Sequence, residues 1–403
     1  MHLVEKHLIK KTDPRYALCD VAAFRSKNLY NAALYETRQT FLAHDTYLFY
    51  EELDKLMQPH EAYKALPAKV AQQVLRQVTD AWKAFREASQ AYQEDPTTFL
   101  GRPKLPKYKH KTQGRNLLIY TSQVVSKTAL RNGAVVSSQL GIEVISLCPD
   151  IAQVRVVPRN GCYVVEVIYE QEIEPAPVRA DLYGSIDLGI TNLATLTSNK
   201  PGFVLLLVNG RPVKSINQNY NKKRADLQGK LAKMDPRRHT SHCLESLTNR
   251  RNRKIDHELH MISRRIIDLL VEEGIGTLVI GYNQEWKQHV NIGKRTTQHF
   301  VTIPFARFIH MLTYKAELVG IRLITTEESY TSKCSFLDWE DIGKQEQYAG
   351  KRVKRGLFQV ANGKRYNADV NGSYNVLRKV APDAFGQRSS GCVVHPRPLA
   401  VQR

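Results

Sequence analysis

Two acids in this chain sit where cation chemistry would need them. Asp187 is the one carboxylate in the β-rich stretch from Tyr183 to Thr197, and Gly189, Thr191 and Asn192 follow it before the apolar and polar alternation resumes. That pattern reads as a hairpin with an acid on its first strand. A lone buried carboxylate is costly unless it is paired or holds a cation, so the position points to a metal site. Asp369 lies near the start of a helical segment in the stretch from Arg365 to Arg378. Carboxylates gathered from two such elements can hold a pair of Mg²⁺ (or Mn²⁺) ions about 4 Å apart, one activating water and the other stabilising a leaving oxygen.

The remaining charge fits a phosphate substrate. Lys and Arg number 59 against 39 Asp and Glu, a formal net charge of +20 in 403 residues, which favours a polyanionic partner and above all nucleic acid. One basic stretch, from Gly101 to Arg115, carries Arg102, Lys104, Lys107, Tyr108 and Lys109. Pro103 and Pro106 prevent a regular helix there, and lysines interleaved with an aromatic ring suit a contact that tracks a phosphate backbone. A solvated linker with incidental charge is the alternative. A second basic region is the long helical pattern from Asn217 to Ile267, with Lys222, Lys223, Arg224, Arg250, Arg251, Arg253 and Lys254. One side of it would face phosphates and the other the core, or the charges simply solvate a helix face.

Other classes are disfavoured. No apolar run reaches the roughly 18 residues of a membrane span. The segment from Met1 to His7 lacks the apolar core of a secretion signal. The six cysteines are scattered, without a C-x-x-C pair, and read as reduced thiols of a cytoplasmic protein.

The elements that must position the acids follow from periodicity. A short strand over residues 1–12 precedes a helical insertion of three or four helices, broken at Pro59 and Pro67. From Asn116 to Glu172 short alternating segments and turns describe a β-barrel or small sandwich, to which the first strand would belong. Beyond the central hairpin and the basic helices, two strands at 277–280 and 321–326 flank an amphipathic helix, the βαβ pattern of a parallel sheet. The predicted fold is therefore α/β plus a β-barrel and a helical insertion, with an RNase H-like nuclease arrangement of acids. The expected domains are a barrel over 1–15 and 100–178, helices over 16–99, and a nuclease domain over 179–333 and 362–381. A loop over 334–361 and a poorly ordered tail over 382–403 complete the chain.

At these motifs the chain resembles the transposon-encoded TnpB proteins, RNA-guided DNA endonucleases related to the type V CRISPR effectors. The stretch from Ser185 to Ala194 is similar to the family's first RuvC motif, and that from Asn367 to Val376 to its third. Further matches run from Leu29 to Tyr35, Gly101 to Lys109, Tyr314 to Gly320 and Tyr330 to Cys334. The resemblance implies that Asp187 and Asp369 are the first and last metal-binding carboxylates. It implies that the barrel and helices are wedge and recognition domains gripping a guide RNA and target double-stranded DNA, base pairing reading the sequence.

Two departures matter. The second motif ordinarily ends its strand with Glu, where this chain has Gly281. Either cutting is lost, leaving an RNA-guided DNA-binding protein that acts as a repressor or homing factor, or another acid reaches the metals. Glu327 and Glu328 end the next strand, whose carboxyl end should lie beside the missing position. Alternation lets at most one of them point at the metals. Glu328 is preferred to Glu327, and both to Glu285. The family's zinc ribbon keeps Cys334 alone, and one thiolate cannot make a four-coordinate site. A metal-free loop from Ser335 to Lys364, with a strand near 356–360, is expected in its place, and no zinc. A strand-transferring transposase is a third, less favoured reading.

Overall fold

The first nine-residue strand, β1 (His2–Lys10), alternates between exposed and less exposed positions, the signature of a strand with one face on a core. The computed structural model describes residues 1–136, 141–148, 150–283, 293–385 and 396–399. It divides into two compact units, Met1–Gln171 and Glu172–Arg403.

In the first unit β1 is followed by helices α1 (Tyr16–His44), α2 (Tyr50–Met57), α3 (Glu61–Lys64) and α4 (Ala68–Glu94). Strands β2 (Leu118–Thr121), β3 (Ala134–Val136), β4 (Glu143–Ile145), β5 (Ile151–Arg159) and β6 (Cys162–Glu170) follow, with short helix α5 (Lys127–Arg131) between β2 and β3. β1 pairs along its whole length with β6, so helices α1 to α4 lie, in chain order, between strands of one sheet. That sheet has the order β1-β6-β5-β2, and β3 and β4 form a separate ribbon. Among the described residues these strands make an open antiparallel sheet with β1 and β2 at its edges, not the closed ring of a barrel. The helices bury Val70, Val74, Leu75, Val78 and Trp82 along one stripe of α4. The Trp82 indole N–H donates to Thr37 Oγ1 at 2.7 Å, so the buried ring keeps a partner for its one polar atom.

The second unit is built on β7 (Arg179–Leu188), β8 (Asn192–Ser198), β9 (Leu206–Asn209), β10 (Ile275–Gly281) and β11 (Arg322–Thr326). Helices α6 (Arg211–Met234) and α7 (His242–Glu272) precede β10, and α8 (Lys294–Thr302) and α9 (Phe305–Leu318) precede β11. Strands β12 (Lys351–Lys354), β13 (Leu357–Gln359) and β14 (Arg365–Asn367) lead into α10 (Ala368–Val380), and β15 (Arg397–Pro398) comes last. The sheet order is β11-β10-β7-β8-β9-β15, with β7, β8 and β9 antiparallel and β10 parallel to both β7 and β11. All seven residues of β10 are buried, as a central strand covered on both faces requires.

Two expectations change here. The region after Cys334 is not simply a loop: β12, β13 and β14 form a three-stranded antiparallel sheet. Among the described residues the expected tail is structured at two places, a 3-10 turn over Pro382–Phe385 and an edge pairing where Arg397 N donates to Leu205 O and Leu399 N to Leu207 O. Pro398 falls between these donors, so its missing N–H interrupts no bond at the sheet edge.

Candidate active site

Alternation along β7 decides what its residues face. Gly184, Ile186 and Leu188 turn toward the apolar layer that contains Leu270 of α7 and Phe308 and Leu312 of α9. Ser185 and Asp187 turn to the other face, against α10. A polar knot fixes that helix. The Ser373 hydroxyl reaches Ser185 O at 2.9 Å and Thr195 O at 3.0 Å, and Ser185 Oγ reaches Ser373 O at 2.7 Å, all in the buried interior. Gly372 then lies directly over Asp187: a Cβ there would stand 3.0 Å from Asp187 Oδ2.

The Glu328 side chain occupies the space that Gly281 leaves open. In the parallel register Ile280 pairs with Ile186 and Gly281 with Thr326. One further step along the first register sets Gly281 beside Asp187, on the same face. Glu328, two residues beyond Thr326, shares that face and folds back over the glycine. A Cβ on Gly281 would lie 2.5 Å from Glu328 Oε1 and 2.6 Å from Glu328 Cγ. Glu327 points away, 66 % exposed, with Oε2 at 3.7 Å from Lys379. Glu285 lies outside the described residues.

Charge makes this a high-energy pocket. Burial pushes the Asp187 carboxyl well above the ordinary carboxylate range, the charges of Glu328 and Asp369 add to that, and Arg352 opposes it. Burial raises Glu328 to about 7. Its Oε1 is buried without a hydrogen-bond partner in the structure. An orphaned carboxylate oxygen beside a second, strained carboxyl fits a hard divalent cation, which takes oxygen ligands.

Asp369 enters from the first turn of α10, which Asn367 caps through the amides of Asp369 and Val370. Both of its oxygens are engaged: Asn192 Nδ2 donates to Oδ2 at 2.8 Å and Arg352 Nη2 to Oδ1 at 3.2 Å. As the side chains stand, no group of three or more His, Cys, Asp or Glu that could hold a metal ion is found among the described residues. Asp187 and Glu328 share one face, while Asp369 is held by its two partners.

The basic residues divide. Arg102, Lys104, Lys107 and Tyr108 are exposed, as are Lys222, Lys223, Arg224, Arg250, Arg253 and Lys254. Lys109 is not free. Its backbone N–H and C=O are both held by Asn31, and its ammonium stands over the Tyr30 ring at 4.8 Å. Arg251 is likewise turned inward, donating to Asn217 Oδ1, Asn252 Oδ1 and Thr302 O. Both belong to the framework, because helical and loop geometry turned them toward carbonyls and rings that a charge count does not reveal.

Comparison with known proteins places relatives along most of the chain. Residues 165–287 match a family described as a probable transposase (OrfB_IS605), and residues 305–376 a family described as Cas12f1-like, TNB domain. The TnpB-like protein ORF457 of Acidianus two-tailed virus is 24 % identical, covering 88 % of this chain and 81 % of that protein. The CRISPR-associated endodeoxyribonuclease Cas12f1 of Sulfoacidibacillus thermotolerans is 31 % identical over 29 % of this chain and 25 % of its own length. The chain is a TnpB-type relative of the type V CRISPR effectors. Its fold is also that of the Cas12f1 chain solved in a Cas12f1-sgRNA-target DNA complex, with a TM-score of 0.56 over 89 % of this chain and 82 % of that one, at 14 % identity.

Two residues at the site escape a reading of the sequence alone. Asn192 carries a signal, since it opens β8 directly after the hairpin turn that follows Asp187. Arg352 carries none: it sits in a short strand, β12, exposed at every position and paired only with β13.

Proposed function

We propose that the chain is an RNA-guided, Mg²⁺-dependent DNA endonuclease of a transposon, with Asp187, Glu328 and Asp369 as its metal-holding carboxylates. In this reading the strand order β11-β10-β7-β8-β9 is the RNase H-like core of a RuvC nuclease domain. The first unit supplies wedge and recognition surfaces for guide RNA and target double-stranded DNA. The observation that carries the proposal is the place of Glu328: its side chain fills the volume above Gly281, on the face shared with Asp187. A chain that had merely lost the second acid would have no reason to bury another carboxylate, unpartnered, in the same space.

The residues divide the work. Asp187 and Glu328, raised in proton affinity when alone, would hold Mg²⁺ (or Mn²⁺) in their charged forms. Asp369 completes the set once it is released by Arg352 and Asn192. Bound there, the ions would lower the pKa of an attacking water and neutralise the leaving oxygen of a phosphodiester. Arg352, freed from Asp369, is placed to meet phosphate charge, a role suited to a bidentate guanidinium. The exposed cations of α6 and α7 would hold the nucleic-acid backbone.

A second reading, an RNA-guided DNA-binding protein without cleavage, is favoured by one observation, the engagement of both Asp369 oxygens. A plasmid carrying a guide-matched target separates the two. The protein purified with its RNA should cut it in Mg²⁺. Asp187→Ala and Glu328→Ala should abolish cutting, and Glu327→Ala should leave it within about threefold, as expected of an exposed surface pair. Binding of the target without cutting by the parent protein would establish the second reading instead.

A further inference from the structure

Glu328 differs from an acid on a strand in one respect: nothing in the sheet holds it. β11 ends at Thr326, and the last ladder bond across it is donated by Tyr282 N to Thr326 O at 2.8 Å. A metal ligand two residues beyond that point would swing with its turn unless other groups fixed it. Four attachments do so. Asn283 Oδ1 accepts from Glu328 N at 2.8 Å, standing where the next backbone acceptor of the parallel ladder would be. Lys379, from the last turn of α10, donates to Glu327 O at 3.0 Å and reaches Ser329 Oγ at 3.3 Å. Thr331 closes the turn with its hydroxyl on Glu328 O at 2.8 Å. Asn371 and Asn375 hold the far end through Cys334 O at 2.9 and 2.7 Å.

Asn283 is the attachment that belongs to the altered strand itself. It follows Gly281 by two residues, so the segment that gave up its acid also supplies the acceptor that steadies the replacement. We infer that Asn283, with Lys379, is a positioning residue for Glu328: it fixes the backbone from which the relocated carboxylate reaches the metal, without touching metal or substrate. The inference rests on the reading of Glu328 as a metal ligand. Its physical content is pre-organisation. Groups that orient a ligand from outside the coordination sphere typically change metal affinity by about 10–100-fold when removed. Without them, the turn would be free to rotate Glu328 out over the sheet edge.

The test measures Mn²⁺ binding alone, by calorimetry on the full chain without nucleic acid, for the parent, Glu328→Gln, Asn283→Ala, Lys379→Gln and the double variant Asn283→Ala/Glu328→Gln. Glu328→Gln should weaken binding. Asn283→Ala should weaken it by about 10-fold or more. In the double variant the loss should equal that of Glu328→Gln alone, because Asn283 acts through Glu328. Lys379→Gln, at a partly exposed position, is expected to show a smaller loss of the same kind and guards against a misfolded Asn283→Ala. If Glu328→Gln binds Mn²⁺ as the parent does, the ligand assignment fails and the inference with it. If Glu328→Gln is weakened while folded Asn283→Ala and Lys379→Gln bind normally, or if the Asn283→Ala loss adds in full to that of Glu328→Gln, the positioning role alone is overturned.

Discussion

The acid pair should reveal itself in the stability of the metal-free protein, through Glu328→Gln. A carboxyl carried from its ordinary 4.5 to about 7 in the folded state has gained roughly 3 kcal/mol of proton-binding energy, at about 1.4 kcal/mol for each tenfold change in affinity. The direction follows from proton counting. Between these two values the folded chain keeps the Glu328 proton and the unfolded chain has lost it, so stability falls as pH rises. The contribution is complete below the unfolded value and gone above the folded one. Asp187, raised by burial and by its acidic neighbours, acts in the same direction. Glutamine has the shape and no such proton. The parent should therefore lose, relative to Glu328→Gln, up to about 3 kcal/mol between roughly pH 5 and pH 8. Because the chain has two units, the readout should be local: hydrogen exchange of the α10 amides, which report opening of the second unit. In the proposed reading Mg²⁺ binds the charged carboxylates, so millimolar metal should recover stability at the upper pH and have little effect at the lower, by about 2.7 kcal/mol if it stands at 100 times its dissociation constant. A parent and a Glu328→Gln variant whose stabilities run parallel in pH would refute the buried, metal-free carboxylate.

Three further outcomes follow. Gly281→Glu should reduce plasmid cutting by at least about a hundredfold, because its Cβ alone would overlap the Glu328 side chain, and the pair Gly281→Glu/Glu328→Gly should regain part of the loss, since the acids then act as one unit rather than adding; no recovery would mean the two positions do not exchange one role. Replacing Lys222, Lys223 and Arg224 by Ser should weaken RNA binding and flatten its dependence on log salt by about 0.7–0.9 for each phosphate no longer neutralised, measured by filter binding across a salt series. Arg251→Ala should leave that slope unchanged while lowering stability by about 1–3 kcal/mol, the usual effect of stranding buried hydrogen-bond partners, here Asn217 and Thr302 O.

Much of the site was legible because it depends on local periods. The turn residues after Asp187 and the period-two alternation on both sides define β7 and β8, and the structure pairs Asp187 with Thr195 across that hairpin. Parity carried past the end of β11 was also readable: although the strand stops at Thr326, Glu328 still falls on the face of Thr326 and Glu327 on the other. What periodicity could not reach was long-range. That Arg352 would meet Asp369 depends on a short sheet, β12 to β14, whose first strand is exposed at all four positions and so lacks the apolar signal of a strand. That Arg251 would turn inward depends on a carbonyl of α8, 2.8 Å away in space but 51 residues on in sequence. The strand at Arg397 exists only because β9 offers an unpaired edge.

The proposed relocation of the acid makes structural sense because the ends of adjacent parallel strands lie side by side. β10 and β11 run together with Gly281 opposite Thr326, so a side chain rooted two residues further on needs only to fold back over its neighbour to reach the same point. Three conditions must then hold at once. The vacated position must have no Cβ, which Gly281 meets. The helix above must leave room at Asp187, which Gly372 meets, its absent Cβ being 3.0 Å from the carboxylate. The turn carrying the new acid must be as fixed as a strand, which Asn283 and Lys379 provide. A glycine arising by decay would satisfy the first condition by accident. It gives no reason for the acceptor at Asn283, nor for an unpartnered carboxylate oxygen kept beside Asp187. The three conditions together favour the proposed rebuilt site over an abandoned one, and restoring a side chain at Gly281 is the perturbation that tests the first of them directly.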